Sequence, residues 1–202
     1  MAGVWAIRLV WLLVLVAAGA CSPAAQQLMS DALVNRPLSQ ADRQGRGTRI
    51  LAVPVYRSER SCCGLAALWM VLDYWRETGG RARQEWLARR RCPDQGYSVG
   101  QLAAMARARG LRALVYQGRP SDLSRQVAAT RPVIVLLRRL GRNHFVVVVG
   151  TATGGRLVVN DPGRGMVFLR RTDLLKQWEA LGRPTLLLVP AKPTSSHQGG
   201  GS

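Results

Sequence analysis

Lysine is nearly absent from this 202-residue chain: of 29 basic residues only Lys176 and Lys192 are lysine, set against 11 acidic residues for a formal charge of +18. Histidine is as scarce, with His144 and His197 the two copies. No apolar run reaches the roughly 18 residues that a spanning helix needs, which excludes an integral membrane bundle. No short-period repeat is present, which argues against a solenoid. With one histidine in the body of the chain and no C-x-x-C pair, no zinc site is expected, and nothing calls for another metal or a cofactor. What is present is the ordinary balance of a packed protein, 48% hydrophobic and 20% charged, and not that of a disordered one.

The two ends read as lying outside the fold. Residues 1–20 carry a single charge, Arg8, then an apolar stretch from Leu9 to Ala20, the pattern of a secretory signal. Ala18-Gly19-Ala20 ahead of Cys21 resembles a bacterial lipobox and equally satisfies the A-x-A rule of ordinary signal cleavage. The first reading makes Cys21 a lipid anchor. With Ser22 following it, the chain is then expected on the periplasmic face of the outer membrane; the second leaves a soluble periplasmic protein. Residues 21–48 read as the lipidated end and its tether. The polar, Gly-rich tail 191–202 has no means of building a core. The folded domain is expected over 49–190, enough for one core.

Within that domain the period changes along the chain. Cys63–Trp75 is apolar nearly all round and predicts a buried helix. Arg81–Arg91 predicts a short basic helix, Ser98–Arg109 a helix capped by Ser98 and stopped by Gly110, and Pro120–Thr130 another. Ile50–Val55, broken by Pro54, reads as an edge strand or extended arm, and Arg112–Tyr116 as a strand. Beyond Pro132 strands dominate: Pro132–Leu137, His144–Thr151, Arg156–Asn160, Met166–Arg170 and Thr185–Val189, with one amphipathic helix at Thr172–Leu181. Gly154-Gly155 and Asp161-Pro162-Gly163 are turn signals. Helices first and mainly antiparallel strands second predict an α+β fold, N-terminal helices packed on a sheet.

Three residues in this frame could carry chemistry. Cys63 opens the buried helix, where the positive end of the helix dipole favours a thiolate; a buried structural cysteine is the plain alternative. Gly64 beside it would leave room for a substrate backbone. His144 opens the strand His144-Phe145-Val146-Val147-Val148-Val149-Gly150, a place where a lone histidine is often mere packing. Asp161 ends the strand expected to pair with it. A strand out, a turn and a strand back fit the 17-residue interval, so that a carboxylate could orient the imidazole.

Val53-Pro54, Cys63-Gly64-Leu65-Ala66-Ala67-Leu68, the His144–Gly150 strand and Asn160-Asp161-Pro162, in this order and spacing, resemble the papain-like cysteine peptidases that trim double-glycine leaders from bacteriocins. The resemblance covers about residues 50–190. It implies a papain-like fold and a thiol protease with Cys63 as nucleophile, His144 as general base and acid, and Asp161 as the orienting carboxylate. It implies a peptide or protein substrate cut after small residues. That family usually carries a Gln five or six positions before the cysteine, whose side chain helps hold the oxyanion. Ser58 and Arg57 fill those slots here, and either could substitute. If neither does, a peptide-binding module without turnover is the alternative. Domains of that family often sit on an ABC exporter. This sequence carries no Walker motif, so it is expected to act alone or beside a separate exporter.

Cys62 and Cys92 could pair in an oxidising compartment or stay isolated thiols. The arginines, densest over Arg81–Arg91, suggest a solvated face drawn to anionic lipid. Nucleic acid is not expected as a partner of an exported protein.

Overall fold

The computed structural model describes residues 47–58, 62–76 and 79–191. The expected signal segment, Cys21 with nearly all of the tether, and the tail beyond Ala191 lie outside them.

One antiparallel sheet organises the described residues. Its strands are β1 (Arg49–Ile50), β2 (Leu111–Gln117), β3 (Val133–Arg139), β4 (Arg142–Ala152), β5 (Arg156–Asp161), β6 (Gly165–Arg170) and β7 (Pro184–Pro190). They lie in the order β2-β7-β3-β4-β5-β6, with β1 paired to the end of β4. The helices are α1 (Cys63–Arg76), α2 (Arg81–Ala88), α3 (Val99–Arg107), α4 (Pro120–Ala128) and α5 (Arg171–Glu179). The result is an α+β fold. Ser98 caps α3 as its sequence predicts, accepting from the Gln101 N–H while Gln101 Oε1 accepts from Ser98 N–H at 2.8 Å.

Helices cover both faces of the sheet, a finding that extends the expectation of N-terminal helices on one face. The strand residues Ile134, Val147, Val158, Phe168 and Leu186 join the core beneath α1 and α3. Their neighbours Val133, Val146, Val148, Val159 and Leu187 join a second core with Leu123 and Val127 of α4 and Leu174 and Trp178 of α5. Side chains alternate across a pleated strand, so burial on both faces requires an unbroken apolar run. The valines at 146–149 meet that requirement.

The predicted strand Ile50–Val55 is shorter than expected. Only Arg49–Ile50 forms a strand against β4; Leu51 still donates to the Val149 carbonyl at 2.8 Å, and residues 51–58 continue as an arm without regular structure. A Cβ at Gly150 would stand 2.5 Å from the carbonyl oxygen of Arg49, so glycine is what lets β1 lie against β4. A bulge between Val148 and Gly150 accompanies it.

Three contacts fix the arm and α2 to α1. Tyr56 Oη donates to Asp73 Oδ2 at 2.9 Å. Arg83 Nε donates to the same oxygen at 3.0 Å, and its guanidinium lies 3.4 Å from the centre of the Trp69 ring. Asp73 is buried, and a buried carboxylate is tolerable only when so partnered. The third contact is covalent: Cys62 and Cys92 form a disulfide across a 30-residue separation.

Closing a loop of that length removes entropy from the unfolded chain worth ~3–4 kcal/mol. The Cys62→Ser/Cys92→Ser variant is expected to lose stability of that order in urea unfolding followed by circular dichroism. A loss below about 1 kcal/mol would mean that the unfolded chain keeps this loop compact without the bridge.

Candidate active site

Cys63 is the first residue of α1. Its own N–H therefore lies ahead of the intrahelical hydrogen-bond ladder. The helix starts here because Cys63–Leu72 is an uninterrupted buried run that α3 and the sheet enclose. Gly64 serves this packing. A Cβ there would stand 3.0 Å from the Phe145 ring and 3.2 Å from Leu102. The space at Gly64 is thus filled from within the protein, which corrects the expectation that it admits a substrate backbone.

His144 lies near the start of β4, three residues after the Leu140-Gly141 turn that joins β3 to β4 with Arg139 opposite Arg142. The last described β4–β5 pair at this end is Val147 with Asn160, and β5 stops at Asp161. β4 therefore runs on past its neighbour. At 144–145 its outer edge is open, and the Phe145 N–H there is among the groups that lower the Cys63 pKa. The same opening lets the His144 ring reach sulfur on one side and carboxylate on the other.

The ring and Asp161 are in direct contact: His144 Nε2 lies 2.8 Å from Asp161 Oδ1. That leaves Nδ1 as the nitrogen available to the Cys63 thiol, which with Asp161 raises the ring's pKa. Asp161 is fully buried. Three further donors hold it: the Gly163 N–H at 2.8 Å, Arg164 Nε at 2.8 Å and Arg139 Nη1 at 3.2 Å. Arg164 and Arg139 are partners that sequence reasoning missed. Arg164 had a faint signal, lying three residues after Asp161 in a turn; Arg139 had none, since only the hairpin brings it there.

Charge follows from these contacts. Burial alone would raise the Asp161 pKa, but the His144 hydrogen bond and charge, then Arg164, hold its carboxyl well below the usual range. Burial alone would lower the His144 pKa. Hydrogen bonds to Asp161 and Cys63, and the charges of both, outweigh it and carry the ring up to about 9. Burial pushes the Cys63 thiol up, yet the His144 hydrogen bond, the Phe145 N–H, the ring charge and the Gly64 N–H bring it below its ordinary value. A shared thiolate–imidazolium pair is the state these directions favour near neutral pH. Such a pair can attack an electrophilic carbon and return a proton to a leaving group.

An open cleft of about 1790 Å³ reaches this pair. Cys63, His144 and Phe145 lie in it, between the β3–β4 hairpin and the segment 93–99. Cys92, next to that segment, is bridged to Cys62, next to Cys63, so the disulfide ties one wall to the sulfur's own helix. Arg57 and Ser58 also line the cleft. The Ser58 N–H is spent on the Pro162 carbonyl at 2.9 Å, and among the described residues its hydroxyl has no partner. The Arg57 backbone is clasped by Gln84, whose amide accepts from its N–H at 2.7 Å and donates to its carbonyl at 2.9 Å. Among the described residues no cluster of His, Cys, Asp and Glu could hold a metal.

A family model described as the peptidase C39 family matches residues 53–192. A solved double-glycine-motif protease from an AMS/PCAT transporter, in complex with its leader peptide, is similar in fold. It has 24% identity and a TM-score of 0.53, over 71% of this chain and 95% of that one. The peptidase domain of Streptococcus ComA, a bifunctional ABC transporter of a quorum-sensing pathway, is similar with 14% identity and a TM-score of 0.51. That match covers 68% of this chain and 98% of the other. No curated protein matches the chain significantly.

Because the His144 pKa is raised, its share of the stability is present in full below the ordinary histidine range and is lost as pH rises through about 9. Asp161 contributes above the ordinary carboxylate range and loses its share as pH falls through its depressed value. Asp161→Asn is expected to move the His144 titration, followed by NMR of the imidazole, down by at least roughly one unit. An unmoved titration in a folded variant would show that the carboxylate does not set the charge of the ring.

Proposed function

Since the chain belongs to the peptidase C39 family, and is on that account a cysteine peptidase, we propose that Cys63, His144 and Asp161 are its catalytic machinery. The observation that carries this reading is the 2.8 Å contact between His144 and the buried Asp161 in the cleft that Cys63 lines, where the ring brings the thiol below its ordinary value. The Cys63 thiolate attacks the scissile carbonyl carbon, and the carbonyl electron pair moves to oxygen. His144 then gives its Nδ1 proton to the departing amine, leaving an acyl-thioester. A water molecule yields a proton to the ring and attacks the thioester carbon, and the thiolate is released. Asp161 holds the ring through Nε2 and stabilises its cationic form throughout.

The oxyanion needs donors where the charge develops. The Cys63 N–H is one. We assign the second to the Ser58 hydroxyl and not to Arg57. Ser58 lines the cleft with no partner for its hydroxyl among the described residues, whereas an Arg57 Nη lies 3.9 Å from the place of a Cβ on Gly165, the first residue of β6.

The substrate is a peptide cut after small residues, in the manner of a double-glycine site. The neighbour solved with a leader peptide supports that reading by its fold. The cell envelope is the proposed location, by a lipid on Cys21 or by soluble export. The N-terminal pattern and the Cys62–Cys92 disulfide both favour an oxidising compartment. A separate exporter would then be a partner in supplying the peptide.

Cys63→Ala is expected to abolish cleavage of peptides containing Gly-Gly, read by mass spectrometry of the products. Iodoacetamide should label Cys63 at neutral pH faster than an ordinary thiol, at a rate that drops in His144→Ala. Retained cleavage in Cys63→Ala would overturn the assignment. Ser58→Ala should lower kcat by about 100-fold, with a smaller effect of Arg57→Gln; the reverse order would move the donor to Arg57.

A further inference from the structure

Among the described residues the cleft at Cys63 carries charge of almost one sign. Arg57, Arg138, Arg139 and Arg142 line it, and Asp94 is the single acidic residue of its described lining. Arg139 is engaged with Asp161. Arg57, Arg138 and Arg142 are exposed, and none forms an ion pair with the described residues. Arg138 donates instead to the neutral Asn143 Oδ1 at 2.9 Å.

The backbone that carries these side chains is held in place. Arg138 and Arg142 stand on the rigid β3–β4 ladder, Arg138 opposite Asn143 and Arg139 opposite Arg142. Gln84 holds the backbone of Arg57. A concave surface with low-dielectric walls concentrates the field of such charges. Guanidinium groups are weakly hydrated and shaped to bind carboxylates bidentately. Arg142 lies two residues from His144, about 7 Å of strand. A carboxylate held there belongs to a residue about two to four positions from the scissile bond of an extended peptide.

We propose that this peptidase selects acidic peptides, through Arg57, Arg138 and Arg142 acting on glutamate or aspartate side chains flanking the cut. The proposal rests on the assignment of Cys63 and His144 as the reacting pair, and it adds the substrate's charge to that reading. The arginines are specificity residues and take no part in the bond changes.

The test uses the full chain and two peptides of equal length around the same Gly-Gly, with Glu or Gln two to four residues away on each side. At low salt kcat/KM for the Glu peptide should exceed that for the Gln peptide by about tenfold or more, and the ratio should shrink at about 0.5 M salt. Arg138→Gln/Arg142→Gln should bring the ratio near one, mainly through KM. Arg112→Gln/Arg131→Gln removes as much charge from exposed sites outside the cleft lining and should keep the ratio. Equal cleavage of both peptides by the wild type, or equal loss of the ratio in both double variants, would overturn the proposal while leaving the catalytic assignment standing. If neither peptide is cleaved, anisotropy of the labelled peptides still reads the arginines. Tighter binding of the Glu peptide, abolished by Arg138→Gln/Arg142→Gln, would then uphold the acidic preference and count against the catalytic assignment; equal binding would sink the proposal. Inhibition by anionic phosphatidylglycerol vesicles but not by oligoglutamate would assign the arginines to a lipid surface and overturn it too.

Discussion

A carboxylate with no contact to solvent is expensive unless every lone pair finds a donor, and Asp161 is such a group. His144, Gly163, Arg139 and Arg164 supply the donors. Taking one charged partner from a buried pair typically costs about 3–5 kcal/mol, since the group left behind stays charged and dry. The imidazole is therefore held at the position where the sulfur of α1 meets it. The turn that contains Asp161 also fastens the arm. The Pro162 carbonyl accepts from Ser58, and Asn160 Nδ2 donates to the Val53 carbonyl at 3.1 Å. One turn thus sets the ring orientation and the cleft wall together, so a distortion in 160–164 reaches both.

Much of this arrangement was legible beforehand because it depends on local rules. An apolar run of helical length, begun by Cys63, marks a helix start wherever it packs. The Val146–Val149 run marks a strand with both faces covered, and Asp161-Pro162-Gly163 marks a turn. The order of these three elements carried the resemblance to the peptidase family. The α+β class followed from the change of period near Pro132.

Other features depend on which surfaces meet, and that is not a local property. Gly64 looked like an opening and is a packing contact, because Phe145 arrives from 81 residues away. The Leu140-Gly141 turn was hidden between arginines that read as a solvated face. Leu140 adopts a positive φ of 46°, which no residue-type rule anticipates for leucine. The partners of Asp161 and the pairing of Cys62 with Cys92 are questions of distance that only the folded backbone answers. The arginines illustrate the point most clearly. Their number was plain from composition, while their gathering around one cleft comes from the hairpin.

The Cys62–Cys92 bridge places an oxidised sulfur in the residue adjoining a free, thiolate-prone one. The two neighbours ask opposite things of their surroundings. A reductant added to keep Cys63 free of sulfenic acid or mixed disulfide also has a route to the bridge, and once the bridge opens the cleft wall beside 93–99 is no longer stapled to α1. Handling of the protein is consequently a matter of dose, since the agent that protects one sulfur is the agent that opens the other.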